Sequence, residues 1–550
     1  MRSGAESSAK KNGKGFVSGV LMLSLSTFIV KVIGLAYKIP MMSLLGAEGM
    51  GYFNSAYEIY ALLCVISTAG LPVALSILIS ADAEGGRWRR IERIYRTAMT
   101  LFAVIGGAGS LFMLLFAERI SAFIENTNAA GCIIAIAPAL LFVCVASAVR
   151  GYFQGLCRMT PTAVSQLIEA MGKLILGVSF ARLAIDRGYG IPVASAFAVV
   201  GLSLGTLLSA VYLLILKAIS NKRLSKEIQD SCGVGELNIL GTLVRIAVPI
   251  TLSSAVLGVT RVIDMALIMR RLQDIGYTSV GANSVYGAYT TLAVPIFGLV
   301  PSLITPISLA LVPRLSSAIE KGSAAAQSEV VSSSLRMTVL LSMPASVGVA
   351  VYSRPILELL FSSQREAIDT SAPLLSLLGI SILFSCVITT ANAILQSYRQ
   401  TSKPIISMAL GALVKVVSAY LLIGVPSIGV WGAPISTLLC NITVTAIDVY
   451  YICKYVPRVE SIVDLYARPL GASLAMMVIS FAVFASISYL TEATTVAFIA
   501  ALLAAVAAYF VLALLFGAVR REDILMLPFG EKIALIIENL GFWRSRCNKI

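Results

Sequence analysis

The chain has 550 residues, of which 58% are hydrophobic and 13% charged, whereas soluble domains carry about 25% charged residues. A soluble protein of this size needs a polar surface that this composition cannot supply, so a soluble fold is excluded. A helix crosses the hydrocarbon core with roughly 20 apolar residues, and the chain offers about fourteen such stretches. The sequence therefore predicts an all-α polytopic membrane protein.

The formal net charge of +14 would suit a nucleic-acid partner if the basic residues formed one patch. Instead, the basic residues are spread along the chain, mostly in the connections between helices that fall on one face of the membrane. With a cytoplasmic N-terminus, one face receives most of them, including clusters at 87–96 and 217–226, and the other receives few, Lys38 among them. This asymmetry is typical of the positive-inside rule. It predicts cytoplasmic termini and no nucleic-acid partner.

In chain order, Lys10, Lys11 and Lys14 precede a first apolar run that is too long for a signal peptide and contains Lys31. We interpret this run as an uncleaved first helix. The predicted organisation is a cytoplasmic N-terminal tail at 1–15, an N-lobe of six helices at 16–217, a cytoplasmic linker at 218–240, a C-lobe of six helices at 241–455, two further helices at 466–519 and a cytoplasmic C-terminal tail at 520–550.

The two lobes are predicted to be repeats. "STFIVKVIG" around Lys31 is similar to "VLGVTRVID" around Arg261, and "YFQGLCRMTP" before Lys173 is similar to "ILQSYRQTSKP" before Lys415. In the second pair, the glutamine and the lysine are 19 positions apart in both copies (154 to 173, and 396 to 415). Since each repeat has an even number of helices, both enter the membrane from the same side, and the substrate path is expected between them near the midplane.

Four basic residues stand at these repeat-related positions inside apolar stretches: Lys31, Lys173, Arg261 and Lys415. A charge at the centre of a membrane helix costs at least about 2.5–3.5 kcal/mol, so these side chains should face protein or water. Four cations in the interior indicate an anionic substrate. A phosphate or pyrophosphate group that crosses the membrane needs such partners, because lipid does not replace its hydration.

Four acids are candidates for ion coupling or for charge pairing: Glu58, Glu169, Asp264 and Asp448. Glu169 precedes Lys173 by four residues, so mutual neutralisation on one helical face is the alternative to a binding role. The same alternative applies to Arg261 and Asp264, which are three residues apart. For Lys31, the candidate partner is Glu58 of the second helix.

No metal site, disulfide framework or cofactor is predicted, because the sequence has no histidine and its nine cysteines stand without a CxxC pair. It also has no DxD motif, no P-loop and no acidic pair in an extended outer loop. These absences argue against one alternative function, a membrane-embedded glycosyltransferase or polymerase.

Two stretches resemble a known family: "GLAYKIPMMSLLGAEGMGYFNSAYEIYALLCVISTAGLPVALS" at 34–76 and "RGYFQGLCRMTPTAVSQLIEAMGKL" at 150–174. They are similar to the stage V sporulation protein B group of MurJ-like lipid II flippases. This group belongs to the polysaccharide-exporter superfamily, which also includes the MATE drug exporters. The residues that carry the motif in the second stretch are Arg150, Gly151, Gln154, Pro161 and Gln166.

The resemblance implies a flippase, not an enzyme, that carries a lipid II-like undecaprenyl-pyrophosphate saccharide across the bacterial cytoplasmic membrane by alternating access. Its product would serve peptidoglycan or spore cortex synthesis. The implied partners are this lipid-linked saccharide pyrophosphate and membrane lipid, for a monomer that associates with the cell-wall synthesis machinery. Lys31 matches the basic residue of the family's first helix, whereas two further family arginines fall at Tyr37 and near Cys64.

Two other functions stay open at this point. A MATE-like exporter of cations or drugs should carry unpaired acids in its cavity, whereas the buried bases of this chain at least match its buried acids. The second open function is that of a scaffold for cell-wall assembly that has no transport activity.

Overall fold

The computed structural model describes residues 2–224, 239–457, 462–491 and 494–520, and this part of the chain is helical with no strand. The predicted linker 218–240 and C-terminal tail 520–550 lie mostly outside the described residues. The helices are α1 (Arg2–Thr68), α2 (Leu71–Glu84), α3 (Trp88–Phe123), α4 (Ala130–Gly155), α5 (Thr160–Asp186), α6 (Ile191–Leu224), α7 (Ile239–Asp274), α8 (Ser279–Ala288), α9 (Val294–Glu320), α10 (Ala324–Val351), α11 (Ser353–Phe361), α12 (Arg365–Ser397), α13 (Ser402–Ile423), α14 (Gly432–Tyr455), α15 (Ile462–Thr491) and α16 (Thr494–Leu515).

Twelve segments of the described chain are long and apolar enough to cross a membrane. The first, Ser26–Ala83, has 58 residues and is interrupted at Gly46, where φ is 65° and the α1 helix breaks into two arms. Glycine adopts this left-handed conformation without steric cost. α5 is not among the twelve, yet it has 27 residues and packs along α6. With the break and α5 counted, the structure agrees with the predicted number of about fourteen, and the all-α polytopic fold is confirmed.

Helix ends follow the local sequence. Pro161 stands in the first turn of α5, where its missing N–H costs nothing. Thr278 caps α8 by accepting a hydrogen bond from the Gly281 N–H at 3.0 Å. At the turn between α2 and α3, the buried carboxylate of Asp82 lies 2.7 Å from Arg87 and 3.1 Å from Arg90. Two arginines of the predicted basic cluster thus stabilise this turn.

The first of two compact units consists of Met1–Thr291 and Ile423–Val430. Within it, α5 and α6 approach most closely where glycines face each other, since a Cβ on Gly172 would lie 2.6 Å from the Cα of Gly205. Small residues allow such contact between membrane helices. α7 packs against α1 and α2, and α8 packs against α1. This compact unit thus contains α7 and α8 as well as α1–α6. The boundary between two sequence repeats at 218–240 stays a prediction.

The second unit consists of Leu292–Leu422 and Trp431–Ile550. α12 contacts α9, α10, α11 and α14, and α15 pairs with α16 and packs on α10. The interior contains hydroxyl pairs as well as apolar side chains, for example Thr338 and Thr390, whose Oγ1 atoms are 2.6 Å apart. Paired hydroxyls satisfy each other where no water reaches them.

Candidate functional site

Three charged residues meet at the interface of α4 and α5. The Glu169 carboxylate accepts a 3.0 Å hydrogen bond from Arg150 Nη2 and lies 3.0 Å from Lys173 Nζ. Arg150 also donates to the hydroxyls of Ser165 and Ser209, each at 3.0 Å. The predicted pairing of Glu169 with Lys173 is therefore present. Since Arg150 adds a second cation, the group retains one positive charge.

Lys31 on α1 and Arg261 on α7 approach each other within the first unit. α1 packs against α7, the two positive charges act on each other, and both side chains are exposed. An exposed charge in a membrane helix is least costly where it faces a water-filled cavity. Because two like charges close together favour an anion between or beside them, this pair is the first candidate contact for a phosphate group.

Lys38 lies within α1, seven residues after Lys31 and before the break at Gly46, and its assignment to the opposite face of the membrane stays a prediction. Its Nζ donates to the Thr290 carbonyl oxygen at 2.8 Å, and its charge is attracted by Glu58. Glu58, the candidate partner of Lys31, thus has Lys38 as a neighbour, and its pairing with Lys31 stays a prediction. Lys31 and Lys38 lie on the same face of α1, because residues seven apart in a helix are close to two full turns apart.

Two tyrosine hydroxyls lie among these charged groups. The Tyr57 hydroxyl is affected by the charges of Lys173, Glu169 and Glu58, and the Tyr286 hydroxyl by those of Glu58 and Asp264. We name the whole set the charged band. Its members in the first unit are Lys31, Lys38, Arg150, Lys173, Arg261, Glu58, Glu169 and Asp264. Among these described residues, five bases stand against three acids.

The remaining predicted charges lie in the second unit. Lys415 is half-buried on α13, and Asp448 is fully buried on α14. Asp448 Oδ1 lies within hydrogen-bond distance of the Ser407 hydroxyl of α13. It stays a prediction that Lys415 contacts a phosphate group and that Asp448 is an acid that couples transport to an ion.

The family-motif residues divide between packing and the charged band. Gly151 brings α4 close to α2, since a Cβ there would lie 3.0 Å from the Pro72 carbonyl oxygen. Arg150 belongs to the band, and Pro161 begins α5. The side chains of Gln154 and Gln166 are half-buried. The motif thus places Arg150 opposite Glu169 by fixing how α4, α2 and α5 pack.

A seam of buried and half-buried polar residues, which the sequence did not reveal, joins α1 to α8, to the segment after α8 and to the turn before α4. The Asn126 amide donates to the Ser55 hydroxyl at 3.1 Å and to Asn283 Oδ1 at 2.8 Å. Asn54 donates to the hydroxyls of Thr290 and Thr291 at 2.9 Å and 2.8 Å. These six side chains, which we call the polar seam, are up to 237 residues apart in sequence. No local pattern connects residues at such a separation.

Glycines allow the helices to meet at this seam. A Cβ on Gly51 would collide with Asn283, and one on Gly287 would collide with the Ala47 carbonyl oxygen. The close approach places the carbonyl of Glu48 2.8 Å from the Asn283 amide. The polar seam is therefore a tightly packed contact as well as a hydrogen-bonded one.

Residues 16–319 match the family model described as polysaccharide biosynthesis protein, and residues 249–421 match the MatE model. The chain belongs to the polysaccharide biosynthesis protein family. It is 24% identical over 524 residues to Stage V sporulation protein B of Bacillus subtilis (strain 168), covering 94% of this chain and 99% of that protein. It is 26% identical over 418 residues to Lipid II flippase MurJ of the same organism, covering 72% and 76%.

The fold of this family member is also similar to that of a solved MurJ structure. The solved structure of Lipid II flippase MurJ in an inward closed conformation aligns with a TM-score of 0.70 at 15% identity, over 90% of this chain and 98% of that one. The resemblance to the stage V sporulation protein B and MurJ group is thereby confirmed. The chain is a multi-pass bacterial membrane protein and a transporter rather than an enzyme.

Proposed function

We propose that this transporter is a flippase that carries a lipid-linked cell-wall precursor, a lipid II-like undecaprenyl-pyrophosphate saccharide, across the cytoplasmic membrane by alternating access. The observation that carries the proposal is the pair of exposed, mutually repelling cations Lys31 and Arg261 on two packed membrane helices. A pyrophosphate offers several anionic oxygens, so one group can accept charge-assisted hydrogen bonds from both side chains.

The composition of the charged band favours an anion over a cation as substrate. An exporter of organic cations needs an acidic cavity, whereas this band has two more bases than acids, and Glu169 is held between two cations at 3.0 Å. Lys173, Arg150 and Glu169 together contribute one net positive charge to the charged band. In this proposal, Lys31 and Arg261 contact the pyrophosphate, and the other bases attract it.

Complementation of a bacterium depleted of its lipid II flippase tests the proposal, together with an assay of precursor exposed on the outer face. Charge-assisted hydrogen bonds contribute about 1.5–3 kcal/mol each, so Lys31→Ala or Arg261→Ala should weaken binding roughly ten- to hundredfold and cripple complementation. The matched control is Arg182→Ala, which removes an exposed arginine of α5 whose contact with Asp186 is 3.8 Å. Normal activity of Lys31→Ala at normal expression would contradict the proposal.

A failure of the wild-type chain to complement, combined with efflux of organic cations, would favour the MATE-like alternative. A chain that neither complements nor exports, yet is recovered with cell-wall synthesis proteins, would favour the scaffold.

A further inference from the structure

Asp448 is a buried acid whose surroundings differ from those of the charged band. Its side chain and that of Ser407 are fully inaccessible, at the contact between α14 and α13. Ser407 Oγ lies within hydrogen-bond distance of Asp448 Oδ1, and Oδ2 has no hydrogen-bond partner among the described residues. An ionised carboxylate in such a place would be very costly, since burial of a charge is tolerated only with a counter-charge or several donors.

Among the residues that the structure describes, no charged side chain acts on Asp448. On α13, Lys403 precedes Ser407 by one turn, but its Nζ lies over the Tyr451 ring, 5.3 Å from the ring centre. On α12, Cys386 lies in an apolar cluster with Ile304 and Ile382. Within the described residues, Ser407 is the polar side chain that acts on the carboxyl group of Asp448.

Hydrogen-bond accounting indicates where a proton is held. Ser407 has one hydroxyl hydrogen, yet its Oγ lies 3.0 Å from the Pro404 carbonyl oxygen as well as beside Asp448 Oδ1. One hydrogen cannot serve both acceptors. If Asp448 carries a proton, its O–H donates to Ser407 Oγ, and the Ser407 O–H donates to Pro404. Both contacts are then hydrogen bonds.

The site does not suit a metal ion. Hard cations take about six oxygen ligands, whereas the contact supplies the oxygens of Asp448, Ser407 and Pro404, with Oδ2 facing no polar partner. Within the described residues, no three acidic, cysteine or histidine side chains lie close enough together to hold a metal ion. A proton needs only one acceptor.

The location gives the proton access to one side of the membrane. Ser407 lies about 8 Å along α13 from its first residue, and Asp448 lies about 10 Å from the end of α14, at about 1.5 Å per residue. Lys403 in the first turn of α13 lies over the Tyr451 ring near the end of α14, and the sequence predicts that this face is cytoplasmic. Water would therefore reach Asp448 from that face when α13 and α14 move apart.

We infer that Asp448 is a proton-binding site that holds a proton while α13 and α14 are in contact. When they separate, the Asp448 O–H bond breaks and the proton passes to water at the adjacent face. This inference deepens the proposed function by naming a proton as the coupling ion, and only that coupling step rests on the chain being a flippase.

Infrared spectroscopy of the full-length protein in liposomes tests the site directly, because a protonated carboxyl group has its own carbonyl absorption. We expect this absorption at mildly acidic pH in the wild type and a loss of about one group's intensity in Asp448→Asn. The matched control is Asp82→Asn, which changes a similarly buried aspartate that has two arginines as counter-charges at 2.7 Å and 3.1 Å. Asp82→Asn should leave the absorption unchanged.

Ser407→Ala provides a second variant if Asp448→Asn does not fold. Removal of the hydroxyl takes away the acceptor of the Asp448 proton, so the absorption should shift in frequency and persist. Absence of the absorption in the wild type, equal intensity in Asp448→Asn, or its removal by sodium ions at constant pH would each overturn the inference. Because no lipid substrate is present, these outcomes are independent of whether the chain complements a flippase-depleted cell.

Discussion

Arg150 and Glu169 form a 3.0 Å ion pair that joins α4 to α5, with side chains only 13% and 14% exposed. Lys173 binds the other oxygen of the same carboxylate at 3.0 Å. The three side chains therefore share one negative and two positive charges. Glu169 neutralises one of two cations, and the other leaves a net positive charge beside the tyrosines of α1.

The net charge of this group can be tested with single and double substitutions. Glu169→Gln leaves two largely buried cations without a counter-charge and should destabilise the protein by about 3–5 kcal/mol. Glu169→Gln combined with Lys173→Gln returns the net charge to one and should restore most of the folded yield, measured by fluorescence-detected size-exclusion chromatography. Asp186→Asn, at an exposed contact of 3.8 Å with Arg182, is the control and should change little. Equal losses in the single and double variants would contradict this account.

The role of Lys31 as a source of charge predicts different effects for two substitutions. Lys31→Arg keeps the positive charge and should retain much of the complementing activity, because attraction of a flexible pyrophosphate depends on charge more than on one bonding geometry. Lys31→Gln keeps a hydrogen-bond donor without the charge and should lose activity. Growth rate and precursor exposure are the measurements, at matched expression. Activity in Lys31→Gln equal to that in Lys31→Arg would show that charge is not what the substrate requires.

The glycines of the polar seam predict a loss of stability when a methyl group is added. Gly287→Ala and Gly51→Ala each place a Cβ against backbone or Asn283 atoms, and overpacking of this kind costs about 1–3 kcal/mol. Gly107→Ala is the matched control, since its Cβ would meet nothing within 4 Å. Thermal unfolding in detergent should show lower midpoints for the first two variants only. An unchanged midpoint in Gly287→Ala would mean that α8 does not pack on α1 as described.

The predicted orientation can be tested by labelling single cysteines in intact cells. Cys157 and Cys453, which are the exposed cysteines among the described residues, are first replaced by serine. Tyr189→Cys, in the turn between α5 and α6, should react with a membrane-impermeant maleimide added outside. Gly85→Cys, in the turn between α2 and α3, should react only after permeabilisation, because the basic residues that follow it favour the cytoplasmic side. Labelling of Gly85→Cys from outside would reverse the orientation.

Local patterns in the sequence determined the fold class, the family and part of the site. Apolar runs identify membrane helices because each must satisfy its backbone hydrogen bonds internally. The pairing of Glu169 with Lys173 could be predicted because four residues make about one helical turn. The motif around Arg150 could be recognised, whereas its partners could not.

The tertiary structure alone decided which charges meet. Arg150 reaches Glu169 because α4 packs beside α5, Lys38 reaches Thr290 across 252 residues of sequence, and Asp448 meets Ser407 across 41. Helical periodicity orients a side chain on its own helix, but the neighbouring helix is selected by surface fit, as where Gly172 faces Gly205. The sequence by itself therefore determined that this protein is a membrane transporter with basic residues in its spans, and only packing decided which of those residues are neutralised.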